Sequence, residues 1–407
     1  MRVPFHRPSI TEAEIQEVVA CLRSGWLTTG ARVHQFEEAF ARAVGARFAV
    51  AVNSCTAALH LAVEALGLRA GQIVLVPTLT FAATAEVVQY LGATPLLVDC
   101  EYSTLNMDLN DAEDKIKKLR RGKLPLNPLA EVVGIIPVHV GGLMMDMDET
   151  QEFAKRHGLW VVEDAAHAFP AAYWSKNSHC WRRAGENTAA ITCFSFYANK
   201  TITTGEGGMA VTDNFDLAAR MRQMSLHGLS QDAWSRYQGS GSWDYQILAP
   251  GYKYNMPDIA AALGIHQLAR AEELRQKRQW LARNYFESLC DQSAIELPPD
   301  PPDRIHAWHL FVIRIASSQG QNFRNELIQR LREAGVGCSV HWRPLHLHPY
   351  YRDQWSWSPD LFPVANSVWE RLLSLPLFPE MTSEEQHYVV RLLKDLLTQS
   401  APVRKAA

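Results

Sequence analysis

Lys200 is the residue whose setting speaks most directly of chemistry. It ends the run Cys193-Phe194-Ser195-Phe196-Tyr197-Ala198-Asn199-Lys200 and is followed at once by Thr201-Ile202-Thr203-Thr204-Gly205-Glu206-Gly207-Gly208, so one amine stands between an apolar strand and a glycine-rich turn. Upstream, Val161-Val162-Glu163-Asp164-Ala165-Ala166-His167 places a carboxylate just past a short apolar run. The carboxyl edge of a buried parallel strand is where such a group meets ligands. A lysine and an aspartate converging in one crevice suit pyridoxal 5'-phosphate. The amine holds the cofactor aldehyde as a Schiff base, and the carboxylate keeps the pyridine nitrogen protonated so that the ring acts as an electron sink. Apolar Phe194 and Phe196 lower the pKa of the amine by desolvation, the direction this chemistry needs.

Each of these residues also has a plainer reading. Lysines are mostly solvated surface residues. Asp164 is a credible N-cap for a helix opened by Ala165-Ala166. His167 reads either as a capped or core histidine or as a contact to the cofactor's phenolic oxygen. The phosphate needs its own cradle, and Asn53-Ser54-Cys55-Thr56-Ala57-Ala58 follows the apolar run Phe48 to Val52 and precedes a helical pattern through Leu59, Leu61, Ala62 and Leu66. Backbone N–H groups and the Thr56 hydroxyl then meet at a helix N-terminus, a natural anion site. The alternative there is an ordinary capping motif.

The elements that position these groups alternate. Phe48 to Val52, Ile73 to Pro77, Thr94 to Asp99, Val132 to Pro137, Trp160 to Glu163, Ala190 to Phe194 and Gly208 to Thr212 are short β-rich runs separated by helix-length spacers. That pattern predicts a mainly parallel sheet wrapped by helices. Glu12 to Arg23, with Ile15, Val18, Val19 and Leu22 at helical spacing behind a Thr11 cap, predicts an amphipathic helix. A large α/β domain is expected over residues 1–257, followed by a long helical pattern from Ile259 to Leu289. A small α+β domain is expected over 258–407, with strands at Trp308 to Ile315 and Gly337 to His341, a helix from Arg324 to Ala334, a loop from Arg343 to Pro363 and a final helix from Ser383.

Composition narrows the function further. The chain has 407 residues, 47% of them hydrophobic and 20% charged, with a formal charge of -3. There is no basic field for nucleic acid, and the most basic short run, Lys115 to Lys123, reads as a local patch. No stretch has the apolar length of a membrane span, and no leader-like segment opens the sequence. Cys21, Cys55, Cys100, Cys180, Cys193, Cys290 and Cys338 are widely spaced, without a C-x-x-C pair, which suits buried thiols in a reducing, cytoplasmic compartment. Gly205-Glu206-Gly207-Gly208-Met209-Ala210 matches G-x-G-x-x-A, yet Met209-Ala210-Val211-Thr212-Asp213 reads as a strand where a dinucleotide fingerprint requires a helix. Motifs of P-loop NTPases, zinc proteases and serine esterases are absent. His341, His346 and His348 lack a cysteine or carboxylate partner at ligand spacing, so no metal is expected.

Taken together the residues resemble the DegT/DnrJ/EryC1/StrS group of sugar aminotransferases, within the fold-type I pyridoxal-phosphate enzymes. The resemblance is carried by Ser24-Gly25-Trp26-Leu27-Thr28-Thr29-Gly30, Asn53 to Ala58, Val162 to His167, Ser195-Phe196 with Lys200, Gly205 to Gly208, Gly251 to Met256, and Ser374-Leu375-Pro376-Leu377-Phe378-Pro379. It implies a seven-stranded, mainly parallel sheet flanked by helices. Lys200 becomes the Schiff-base and proton-shuttling lysine, Asp164 the partner of the pyridine nitrogen and His167 a contact to the cofactor oxygen. Phe81 stacks on the ring, and Cys55, Thr56 and Ser195 bind the phosphate. Asn255 arrives from the second subunit of a homodimer with shared sites. The implied substrates are a nucleotide-linked keto sugar and L-glutamate, with 2-oxoglutarate as co-product.

Within the group, His167, Gly251 to Asn255, His306 to Phe311 and Leu375 to Pro379 look most similar to the enzyme that makes uridine-diphosphate 4-amino-4-deoxy-arabinose. Pro170 to Asn187, with Trp181-Arg182-Arg183, reads as a longer excursion able to reach the sugar entrance, and Lys115 to Leu129 also reads as expanded. Rival classes are a dehydratase of the same group, in which histidine replaces the lysine, a catalytically silent sensor, and a protein for some other phosphorylated ligand. The presence of Lys200 favours the transaminase.

Overall fold

The computed structural model describes residues 1–230, 244–316 and 320–399. The central sheet is built from β1 (Phe48–Val52), β2 (Ile73–Pro77), β3 (Thr94–Val98), β4 (Val132–Ile135) and β5 (Trp160–Asp164). A hairpin, β6 (Ala172–Ser175) and β7 (Cys180–Arg183), intervenes before β8 (Ile191–Ser195) and β9 (Gly208–Thr212) complete the sheet. The order across it is β1-β9-β8-β5-β4-β2-β3. Pairings from β3 through to β8 are parallel. β9 alone runs against both its neighbours, β1 and β8. Helices Ala31–Val44, Cys55–Ala65, Ala83–Tyr90, Leu109–Arg120, Met147–His157 and Phe215–Ser225 pack around it. A sheet covered on both faces needs continuous apolar strands, and Ile73-Val74-Leu75-Val76-Pro77 is buried along its whole length.

Helix entries follow the side-chain chemistry of the preceding residue. Ser54, Asp108, Asp146 and Asn214 each accept a first-turn backbone N–H. Glu12–Ser24 begins as expected, with the Thr11 N–H donating to Glu14 Oε2 at 2.8 Å. Its packing differs from the expectation. Ile15 and Leu22 are 47% and 50% exposed, while Glu14 and Cys21 are buried. The docked face is the polar one, because Gln267 and Arg270 reach Glu14 Oε1 at 2.8 and 3.2 Å.

The C-terminal part contains a small sheet ordered β10 (Ile295–Glu296), β12 (Phe311–Ile315), β13 (Leu372–Leu375), all antiparallel. Between them, β11 (Arg304–Ile305) pairs with β6. The helical pattern after Pro257 is two helices, Asp258–Ala269 and Ala271–Leu289, broken at Arg270, whose guanidinium is tied to Ser9 and Glu14. Gly337 to His341 is no strand and makes only the bridge Ser339↔Ser374. The excursion after Arg343 holds two short α-helices, Pro349–Trp355 and Pro363–Trp369, and two 3-10 turns, Leu345–Leu347 and Pro359–Leu361. Its Leu345, Tyr351, Trp357, Phe362, Ala365 and Val368 belong to the large core around the central sheet. A second core gathers Leu281, Tyr285, Trp308, Phe311, Ile313, Leu373, Val389 and Leu393. No described helix is long and apolar enough to cross a membrane.

Lys115, the first residue of the basic run that reads as a local patch, is fully buried. Its Nζ donates to Asp111 Oδ2 at 3.1 Å and to the Leu361 carbonyl at 2.8 Å, and lies 4.2 Å from the Phe362 ring centroid. The lysine therefore fastens the 343–371 excursion to the helix Leu109–Arg120, a contact between segments far apart in sequence.

Candidate active site

Lys200 sits in the loop that joins β8 to β9. Ser195 and Gly208 end the antiparallel register, the Phe196 N–H donates to the Gly207 carbonyl at 2.9 Å, and Thr204 N–H returns to the Phe196 carbonyl at 3.0 Å. Phe194 and Phe196 point into a buried aromatic cluster with Phe36, Phe40 and Phe169. Burying each such ring stabilises the loop's base by roughly 1.5–3 kcal/mol, which fixes the height of Lys200 above the sheet. The amine enters a cavity of about 390 Å³. Burial lowers its pKa from the ordinary 10.5 to about 8, against the opposing pull of Asp164.

Asp164 ends β5 at the floor of the same cavity. No helix follows it, so the capping alternative fails; its carboxylate accepts from Ala166 N–H at 3.2 Å within a turn and from the Thr84 hydroxyl at 2.8 Å. Burial raises the carboxyl pKa, with the Thr84 bond opposing. A positively charged partner would reverse that penalty. Immediately beneath, His139 Nε2 and Glu163 Oε2 form a wholly buried pair at 2.7 Å, and Glu163 also accepts from Thr188 and Thr192. This pair stiffens the strand end that carries Asp164.

His167 lines the cavity beside Asp164. The Gly141 N–H donates to its Nδ1 at 3.3 Å, which leaves the hydrogen on Nε2. Its ring stacks on Trp342 at 5.1 Å and lies 4.2 Å from that of His309. Burial, then the charge of Lys200, holds its pKa well below the usual imidazole range, so the ring is neutral.

The anion cradle forms at the start of the helix Cys55–Ala65. Ser54 spends its hydroxyl on Ala57 N–H at 3.1 Å, while the first-turn N–H groups of Cys55 and Thr56 have no intrahelical acceptor. Cys55, Thr56 and Ser195 all line the cavity. So does Phe81, which stands 62% exposed at its mouth. Asn255 is not in the lining. Its backbone bridges Val52, next to the cradle, and its side chain donates to Thr29 Oγ1 at 2.7 Å and accepts from Lys253 Nζ.

Sequence reasoning passed over several lining residues. Asn199, Glu206, His309, His341 and Trp342 converge from three separate segments, and no local motif joins them, while Thr84, outside the lining, reaches the site through its bond to Asp164. Asn199 Oδ1 is buried without a hydrogen-bond partner. The three C-terminal histidines diverge: His341 bonds Ser374, His346 is held between Thr78 and Asn366, and His348 faces the Arg343 carbonyl. Among the described residues no cluster of metal-ligating side chains is found. The Pro170 to Asn187 excursion is the β6–β7 hairpin, and its arginines are committed elsewhere. Arg182 donates to the Glu186 carbonyl and Arg183 to the Ala43 carbonyl, both outside the cavity lining, while Trp181 packs on Trp174.

An amine, a buried carboxylate and a helix N-terminus thus face one cavity of the size a cofactor needs, a donor set that fits pyridoxal phosphate. Comparison with known proteins agrees. The chain is 41% identical over 396 residues to the spore coat polysaccharide biosynthesis protein SpsC of Bacillus subtilis, covering 97% of each. It superposes on the PMP-form structure of Spr1654 from Streptococcus pneumoniae with a TM-score of 0.87 at 32% identity, over 98% of this chain and 100% of that one. The sugar aminotransferase CalS13 from Micromonospora echinospora matches with a TM-score of 0.81 at 27% identity, over 97% and 99% of the two chains. Residues 8–394 match the DegT/DnrJ/EryC1/StrS aminotransferase family, and the chain belongs to that family.

Proposed function

We propose that this aminotransferase, with pyridoxal 5'-phosphate as cofactor, moves an amino group from L-glutamate to the C4 keto carbon of a uridine-diphosphate-linked keto sugar. The product is an amino sugar for cell-surface polysaccharide or lipopolysaccharide. The observation that carries the reading is the convergence of Lys200, Asp164 and the Cys55–Thr56 helix start on one cavity. The sugar and its polysaccharide destination are supported by the family and by the name of the 41% identical SpsC. C4 and uridine diphosphate are supported by the likeness of His167, Gly251 to Asn255 and His306 to Phe311 to the 4-keto-pentose enzyme.

When bound, pyridoxal phosphate supplies an electron sink for the bond broken at the amino-bearing carbon. Lys200 Nζ would hold the cofactor aldehyde and, as a free amine, would be the base that takes the proton from the donor carbon and returns one to the acceptor. Its depressed pKa leaves a usable fraction uncharged near neutrality. Asp164 keeps a proton on the ring nitrogen, and Thr84 and Ala166 N–H hold that carboxylate in place. His167 Nε2–H donates to the ring oxygen. Cys55, Thr56 and Ser195 bind the phosphate at the helix N-terminus, and Phe81 covers one ring face and excludes water. Asn255, outside its own cavity, completes the phosphate site of a second copy in a homodimer.

The test is direct. Purified protein should show a visible band bleached by borohydride, with the added mass on Lys200, and should release 2-oxoglutarate when glutamate is offered with one of a panel of uridine, thymidine and guanosine diphosphate keto sugars. Lys200→Ala should bind the cofactor noncovalently and lose at least ~100-fold in turnover. Wild-type turnover in that variant would overturn the reading. Mixed dimers of Lys200→Ala and Asn255→Ala chains should regain activity at one of their two sites, and verified mixed dimers without it would place Asn255 in its own subunit's site.

A further inference from the structure

Arg278 is fully buried in the helix Ala271–Leu289 and, among the described residues, has no carboxylate partner. Its Nη1 donates to the Leu377 carbonyl at 2.9 Å and to the Trp308 and His309 carbonyls at 3.3 Å each, while Nε and Nη2 have no acceptor among the described residues. A guanidinium with idle donors in an apolar interior is costly, so its placement asks for a reason. The segment it grips is itself under tension. Trp308 adopts φ +49°, a region that a bulky side chain rarely enters. Ala307 and Leu310 N–H groups bond the Gly142 and Gly141 carbonyls at 3.0 and 3.1 Å, and Trp308 N–H bonds His306 Nδ1 at 2.8 Å. This turn presents His309 to the cavity, with Nε2 3.4 Å from Lys200 Nζ.

We propose that His309 is a positioning residue for Lys200, its Nε2 serving as the acceptor that orients the amine toward the cofactor, and that Arg278 is the clamp that holds His309 in place. The proposal rests on the reading of Lys200 as the cofactor lysine. Asp164, Cys55, His6, His167, His341 and Arg278 surround the amine electrostatically, but among the described residues only His309 is hydrogen-bonded to Nζ. Burial, with Lys200, His167 and Arg278 adding to it, keeps the His309 imidazole far below its ordinary pKa. It therefore accepts a hydrogen bond without taking the proton. With Nε2 accepting, Nδ1 carries the hydrogen, and Nδ1 is buried without a partner. The ring is consequently not steered from its far side, and its backbone anchor has to supply the aim.

The experiment follows cofactor capture by apoprotein, read as growth of the visible band and as borohydride-trapped mass on the Lys200 peptide, alongside the single-turnover rate with glutamate. His309→Leu removes the acceptor and should slow both by about 10-fold or more, as expected for a misplaced reactive group. His309→Gln returns an oxygen close to the Nε2 position and should recover most of the loss. Arg278→Lys, which cannot span three carbonyls, should follow the leucine variant. Wild-type rates in His309→Leu with mass still on Lys200 would overturn the proposal and leave the function standing. Equal loss in the leucine and glutamine variants, in step with a lowered melting temperature, would make His309 structural only and would also overturn it. Mass on another lysine in the wild-type protein would remove the functional reading itself.

Discussion

Ser195 and Gly208 face each other across the open end of the β8–β9 pair, and the loop between them carries Lys200. Gly208 at the same time lies against the start of the helix Cys55–Ala65, where an added Cβ would come within 2.5 Å of the Cys55 nitrogen. One strand end thus sets the height of the amine and the distance to the anion cradle together. Because the obstacle is backbone, it cannot swing aside. Gly208→Ala should destabilise the protein by about 1–3 kcal/mol in denaturant titration and weaken cofactor binding by about 10-fold or more. Unaltered binding would show that strand and cradle are not coupled.

Asp164 bears a carboxyl whose pKa is raised by burial. Such a group costs the apoprotein stability at pH values above its folded pKa, because the ionised form is better solvated in the unfolded chain. Asp164→Asn should therefore leave the apoprotein melting temperature equal or higher. Adding pyridoxal phosphate should raise that temperature more in the wild type than in the variant, since only the carboxylate gains from the ring cation. Calorimetry with and without cofactor reads both effects, and an equal rise in the two proteins would sever Asp164 from the ring nitrogen.

Lys200 has a folded pKa of about 8 against an ordinary 10.5. Between those values the unfolded state holds the proton and the folded state does not, so this group adds stability as pH rises through that window. The same shift makes the amine reactive early. In apoprotein, acylation of Lys200 followed by peptide mass spectrometry should rise through about pH 8, ahead of the bulk of the surface lysines. A Lys200 profile that tracks the surface lysines would contradict its desolvation.

Glu163 serves Asp164 from below, through His139, Thr188 and Thr192. Glu163→Ala strands three buried polar side chains and should cost about 3–5 kcal/mol of stability. At temperatures where the variant stays folded it should still bind cofactor, because Glu163 does not line the cavity. Loss of binding with stability intact would instead give this carboxylate a direct part in the site.

Much of this molecule is legible in its sequence. Continuous apolar runs such as Ile73 to Pro77 identify strands buried on both faces, since period and burial are local consequences of a covered sheet. Cys55 and Thr56 after a strand, Asp164 at a strand end and Lys200 before a glycine turn are recognisable because each depends on its own backbone neighbourhood. The antiparallel course of β9 was not legible: Gly208 to Thr212 reads as one more apolar strand, and direction depends on which neighbours accept its hydrogen bonds. The burial of Lys115, the outward face of Ile15 and Leu22, and the engagement of Arg182 and Arg183 with carbonyls also escaped local pattern. All but Arg182, whose acceptor Glu186 is four residues on, are settled by partners far away along the chain. The meeting of Lys200 with His309 under the grip of Arg278 is of the same kind. Residue type and spacing select strands, caps and turns, whereas contacts between distant segments exist only once the sheet has brought those segments side by side.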